Sequence, residues 1–153
     1  MFSKFDGNSH LDIEGNFYTL EGLRVLVVDD DVDSLELTCV ILEQYGVEIA
    51  IAASASEAIE INTKFHPELL ICDIGMPVMD GYSLIRKIRT LPPEQGGLIP
   101  AIAMTAYAGE QERTQALNAG FQRHISKPVD PNNLVAVVAS LAKCLSHNEE
   151  KVA

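Results

Sequence analysis

Leu69-Leu70-Ile71-Cys72-Asp73 runs four apolar residues without alternation into a single carboxylate, and Val25-Leu26-Val27-Val28 runs in the same way into Asp29-Asp30. An unbroken apolar run of this length, bounded by polar residues, reads as a parallel strand buried on both faces. Ligands of an open α/β sheet bind just past the carboxyl ends of its strands. Three carboxylates converging there are costly without a cation, so these two runs predict a divalent-metal site.

Working outward, strands and helices alternate. Strands are predicted at Arg24–Val28, Val47–Ala52, Glu68–Cys72, Pro100–Met104 and Phe121–Ile125. Helices are predicted at Val32–Tyr45, Ser56–Lys64, Tyr82–Thr90, Glu110–Ala119 and Pro131–Ser146. Gly46 and Gly120 close two of them, and Pro92-Pro93 stops a third. Strict alternation argues a single doubly wound α/β domain, with a parallel sheet of five strands and helices on both faces. Residues 1–22 are polar and dotted with glycine, and are expected to form a loosely ordered tail with Phe17, Tyr18 and Leu20 resting on the domain. The domain itself is expected over 23–146, with a fraying tail over 147–153.

Composition narrows the class. The 153 residues are 47% apolar and 22% charged, which suits one domain with a sizeable core. Eleven basic against 22 acidic side chains give a formal charge of -11, poorly suited to direct contact with nucleic acid. The apolar runs fall short of a membrane span, and the first 22 residues lack the apolar stretch of a signal peptide, so a cytoplasmic location is expected. Cys39, Cys72 and Cys144 are an odd count without metal-ligand spacing, and read as reduced, mostly buried thiols.

The residues past each strand carry the chemistry. Asp29-Asp30 follow the first strand, Asp73 the third, Thr105 the fourth and Lys127 the fifth. Carboxylates and water make an oxygen shell for Mg²⁺. A carboxylate can attack phosphorus and become an aspartyl phosphate. A hydroxyl and an ammonium can hold the phosphoryl oxygens as charge develops. Each residue has a plainer reading. An Asp after a strand is often the N-cap of the next helix, which suits Asp31 or Asp33 and suits the pair Asp29-Asp30 poorly. Thr105 alone reads as a cap and Lys127 alone as a surface lysine, but their coincidence on one sheet edge is not explained singly.

VLVVDD at Val25–Asp30, LLICDIGMPVMDG at Leu69–Gly81, AIAMTA at Ala101–Ala106 and Lys127-Pro128 resemble the receiver domain of the two-component response regulators, the family of the chemotaxis response regulator. The likeness covers about residues 23–145, and the D-x-x-M-P-x-M-D-G stretch at Asp73–Gly81 is highly specific. It implies a flavodoxin-like sheet with strand order 2-1-3-4-5 and five flanking helices. Asp73 would be the phosphoacceptor, served by a sensor histidine kinase or a histidine phosphotransfer protein. Mg²⁺ would be held by Asp29, Asp30, Asp73 and the Gly75 backbone carbonyl. Thr105 and Lys127 would contact the phosphoryl group, and Lys127-Pro128 would be a cis peptide. Thr105 and the side chain at position 124 would form the switch that alters binding of a downstream protein or of the rest of a larger chain.

Two positions depart from the family pattern. An aromatic ring is usual where His124 stands; an imidazole is smaller and can change charge near neutral pH, so a weaker or pH-sensitive coupling is expected. Gly75 and Tyr107 flank the path of the hydrolytic water, one open and one bulky. The last helix carries Leu134, Val137, Val138, Leu141 and Leu145 at core spacing, with Val135, Ala139 and Ala142 on another side. That second side, with the helix 110–119 and the strand 121–125, is a candidate homodimer or partner face.

Rival readings are a small Mg²⁺-dependent phosphatase with an aspartate nucleophile, a flavodoxin-like electron carrier, and a scaffold without phosphorylation. The first uses Asp29 and Asp31 as a D-x-D pair but lacks a cap insertion. In the second, Asp29-Asp30-Asp31 would repel the cofactor phosphate. The third is disfavoured because every phosphorylation residue is present. No output segment is recognisable after residue 146, which fits either a stand-alone regulator or a receiver cut from a hybrid kinase.

Overall fold

The computed structural model describes the backbone of residues 9–11, 17–106 and 109–152, and side chains within 20–106 and 109–142. Five parallel strands, β3 (Arg24–Val28), β4 (Glu48–Ala52), β5 (Leu69–Asp73), β6 (Ala101–Thr105) and β7 (Arg123–Ser126), lie in the order β4-β3-β5-β6-β7. Counted within the sheet, that is the expected order 2-1-3-4-5. Five helices connect and follow them: α1 (Val32–Glu43), α2 (Ala55–Phe65), α3 (Gly81–Arg89), α4 (Glu110–Ala119) and α5 (Pro131–Val152).

Every residue of β5 and β6 is buried. Alternate side chains feed two cores. Val25, Val27, Leu69, Ile71, Ile102 and Met104 meet α1 and α5 on one face. Leu26, Val28, Leu70, Cys72, Ala101 and Ala103 meet α2, α3 and α4 on the other. A strand covered on both faces has no polar face to alternate with, which is why its sequence is a continuous apolar run.

Local signals start the helices. Ser54 accepts from the Glu57 N–H at 3.2 Å and Glu57 reaches back to the Ala53 N–H at 2.8 Å, a reciprocal cap for α2. Asp80 caps α3 through the Ser83 N–H at 2.9 Å, and Asp130 caps α5 through the Asn133 N–H at 3.1 Å. Asp31 does occupy the N-cap position of α1, but its side chain makes no cap bond.

Three expectations need correction. The segment read as a loosely ordered tail holds an antiparallel pair, β1 (Ser9–Leu11) with β2 (Phe17–Thr19); the expectation that Leu20 rests on the domain is met, as it is 2% exposed and lies in the core. Five residues that include Gly15 and Asn16 separate the two strands, a spacing suited to a hairpin. α5 continues to Val152 instead of ending at Ser146, because Asn148–Lys151 contains neither Gly nor Pro to stop it. Finally, Val135 and Ala139, assigned to an outward side of α5, are 3% and 6% exposed and belong to the core. One broad buried face replaces the two that spacing suggested. Tyr107 lies outside the described residues, as does the Cys144 side chain; Cys39 and Cys72 are free thiols, the latter buried.

Candidate phosphoryl-transfer site

The sheet itself aims the site. Three backbone bonds extend the strand ladders one residue beyond the strands: Asp29 N–H to Ala52 C=O at 3.1 Å, Ile74 N–H to Met104 C=O at 2.9 Å and Lys127 N–H to Thr105 C=O at 2.8 Å. Asp29, Asp73, Thr105 and Lys127 are therefore held by the sheet at its carboxyl edge. Gly81 tightens the loop after Asp73. A Cβ there would lie 2.6 Å from the Asp73 carbonyl oxygen, so only glycine permits this approach. Lys127-Pro128 is cis, as the family likeness implies.

One carboxylate oxygen from each of Asp29, Asp30 and Asp73 lies within 4.8 Å of the others. Asp29 is fully buried, Asp73 is 6% exposed and Asp30 is exposed. The Lys127 amine stands 3.0 Å from Asp29 Oδ2 and 3.2 Å from Asp73 Oδ1. Asp29 Oδ2 has no aligned hydrogen bond besides this ion pair, while Asp29 Oδ1 accepts from the Asp31 N–H at 3.0 Å. Burial, then the Asp29 charge, pushes the Asp73 carboxyl above the usual range, against Lys127 and the Gly75 N–H, which pull it down. Burial opposes the charged amine of Lys127, but Asp29 and Asp73 outweigh it and hold that pKa above the lysine range. One ammonium thus pairs with two of the three carboxylates, and Asp30 has no ion pair among the described residues. This hard, all-oxygen, electron-rich donor set fits a divalent cation such as Mg²⁺.

Around Asp73 opens a cavity of about 570 Å³, lined among others by Gly75, Thr105 and Lys127. The structure brings Asp29, Asp30, Asp73, Thr105 and Lys127 together. His124 stands apart on β7, half-buried, opposite Ala103 in the register, and its Nε2 is buried without a hydrogen-bond partner. Sequence reading missed Tyr82 and Glu112, which also line the cavity. Glu112, in the first turn of the helix after Thr105, was the available signal; its reach into the cavity depends on where α4 is packed.

The model of the response regulator receiver domain matches residues 25–139. This chain belongs to that family. An uncharacterized 14.6 kDa protein of Leptolyngbya boryana is 44% identical to it over 78% of this chain and 90% of its own length. A CheY-like response regulator receiver domain protein of Methanospirillum hungatei has the same fold at a TM-score of 0.72, with 34% identity over 86% of this chain and 99% of that one. The receiver domain of sensor histidine kinase PA1611 of Pseudomonas aeruginosa, solved with a magnesium ion coordinated in its active-site cleft, matches at a TM-score of 0.68, with 28% identity over 76% of this chain and 93% of that one. The chain spans between 27% and 54% of the length of the longer curated relatives it matches, which are named as transcriptional regulators. Among the described residues of this receiver domain, no helix is long and apolar enough to cross a membrane.

Proposed function

We propose that this receiver domain is phosphorylated on Asp73 by a histidine kinase or a histidine phosphotransfer protein in the cytoplasm, and that the modification alters its binding to a downstream protein or to the rest of a longer chain. The observation that carries the proposal is the placement of Asp73 in an open cavity, 3.2 Å from an ammonium and grouped with two further carboxylates. An Asp73 oxygen forms the bond to phosphorus as the P–N bond to the donor imidazole breaks, and the imidazole leaves with the electron pair. Lys127 holds the developing charge on the phosphoryl oxygens, and the Thr105 hydroxyl donates to one of them. Asp29, Asp30, Asp73 and the Gly75 carbonyl would hold Mg²⁺, which supplies positive charge that an anionic donor needs to approach. Hydrolysis of the acyl phosphate returns Asp73 and inorganic phosphate.

The switch would run through Thr105 and His124. Movement of Thr105 toward the phosphoryl group opens space that the His124 ring can enter, shifting the population between two packings. The unpartnered, buried Nε2 supports a side chain not locked in place by hydrogen bonds. No observation favours an aspartate-nucleophile phosphatase: its nucleophile would be Asp29, which is fully buried.

Incubation with acetyl phosphate and Mg²⁺ followed by intact-mass measurement tests the reading. Wild type is expected to gain one phosphate and Asp73→Asn none. Absence of an adduct on wild type that binds Mg²⁺ contradicts it.

A further inference from the structure

The cavity around Asp73 is lined by five carboxylates, Asp30, Asp31, Asp73, Asp80 and Glu112, and by one cation, Lys127. Asp30 and Asp73 belong to the cluster, Asp80 caps α3, and Asp31 stands at the N-cap of α1. Glu112 is different. It is half-buried and has no ion pair among the described residues, whereas Glu110 on the same turn of α4 meets Arg113 at 3.7 Å. A Cβ on Gly109 would lie 2.6 Å from Glu112 Oε1, so the carboxylate folds back over the start of α4, beside the cavity. Tyr82 lines the same cavity, and its phenol pKa is raised by burial first and then by the charges of Glu112 and Asp80.

We infer that Glu112 selects the phosphoryl donor, its negative charge at the mouth of the cavity holding back small free anions. The inference rests on Asp73 as phosphoacceptor. Every incoming phosphoryl group meets the same repulsion, but a protein donor has remote contacts to offset it and a free acyl phosphate has none. The reaction itself is unchanged: an Asp73 oxygen bonds to phosphorus as the bond to acetate oxygen breaks, and acetate leaves with the electron pair.

The test compares initial rates of phosphate gain on the full chain, by intact mass with Mg²⁺ at low salt, for wild type, Glu112→Gln and Glu112→Lys. Acetyl phosphate, a dianion, and phosphoramidate, a net monoanion, are the donors. Glu112→Gln is near-isosteric at a half-exposed site, and its helix content by circular dichroism reports folding. With acetyl phosphate, Glu112→Gln is expected to react about three- to fivefold faster than wild type, and Glu112→Lys faster still. With phosphoramidate the gain falls to about twofold, as half the charge requires. Both gains shrink toward unity at about 0.5 M salt, where screening acts within a few ångströms. Equal rates for wild type and Glu112→Gln at low salt overturn the inference. So does a gain that is the same for both donors or that survives high salt. A wild type that takes no phosphate at all removes Asp73 as acceptor, a separate failure.

Discussion

The two edges of the sheet handle charge in opposite ways. At the amino edge, two arginines have every guanidinium nitrogen hydrogen-bonded. Arg24 pairs with Glu48, donates to the Phe65 and His66 carbonyls at the end of α2, and stacks 4.2 Å from the Phe65 ring centroid. Arg89 donates twice to the Gly120 carbonyl, at 3.1 and 2.8 Å, and to Gly97 at 3.0 Å and Gln122 at 3.2 Å. Together they tie α2, α3 and the starts of β6 and β7 to the strands. At the carboxyl edge, a cluster of three carboxylates has one lysine, which pairs with Asp29 and Asp73, and burial plus the Asp29 charge raise the Asp73 pKa. At the amino edge hydrogen bonds settle both guanidiniums and hold the fold, although burial lowers the Arg89 pKa. The carboxyl edge is short of positive charge, and that deficit is what a cation and a phosphoryl group can act upon.

The largest way to break this contrast is at the settled edge. Arg89→Ala removes the donor from the Gly97 and Gly120 carbonyls, and is expected to lower unfolding free energy by about 3 kcal/mol in denaturant titration. It leaves phosphate gain from acetyl phosphate in place under conditions where the protein stays folded. A variant that kept its stability would refute the structural role given to that edge.

At the unsettled edge the sign reverses. Mg²⁺ at about one hundred times its dissociation constant should raise stability by about 2.7 kcal/mol if it binds only the folded state. The same addition to Asp30→Asn, at equal concentration, should raise it by clearly less. Thermal unfolding with and without the ion measures both.

Without metal, Asp73→Asn is expected to raise the unfolding midpoint by a few degrees, the size of about 1 kcal/mol in a domain of this length. The pH dependence follows the same logic. A carboxyl whose folded pKa is raised binds its proton more tightly in the folded state. Stability is therefore lost as pH climbs above the ordinary value of 3.8, and this loss disappears in Asp73→Asn. Lys127, with its pKa raised, contributes stability that is complete below 10.5 and is lost as pH rises beyond it.

The smallest effect concerns strain. Val78 holds φ at 69° in the loop after Asp73 with its side chain fully in solvent. Val78→Gly should gain about 0.5–1 kcal/mol in denaturant titration, because a β-branched residue disfavours that conformation. A loss instead would mean that the Val78 side chain makes a stabilising contact.

Fold and site were legible in unequal degree. The runs ending at Asp29, Asp73 and Thr105 were readable because strands covered on both faces have no polar positions, and because site residues directly follow them. The β1–β2 pair was not, since two three-residue strands carry too little periodicity. On α5, spacing alone divided Val135 and Ala139 from Leu134 and Val138, whereas the sheet and α1 together bury all four. Glu112 escaped notice because a helix residue reaches a cavity only through tertiary placement. The cis peptide at Lys127 was expected from family likeness, not from chain physics.

The account is tested most directly by locating the phosphate. After reaction with acetyl phosphate and Mg²⁺, reductive trapping of the acyl phosphate with borohydride and peptide mapping should mark position 73 and leave positions 29 and 30 unchanged. A mark at Asp29 or Asp30, with Asp73 unmodified, would contradict the division of labour proposed for the three carboxylates.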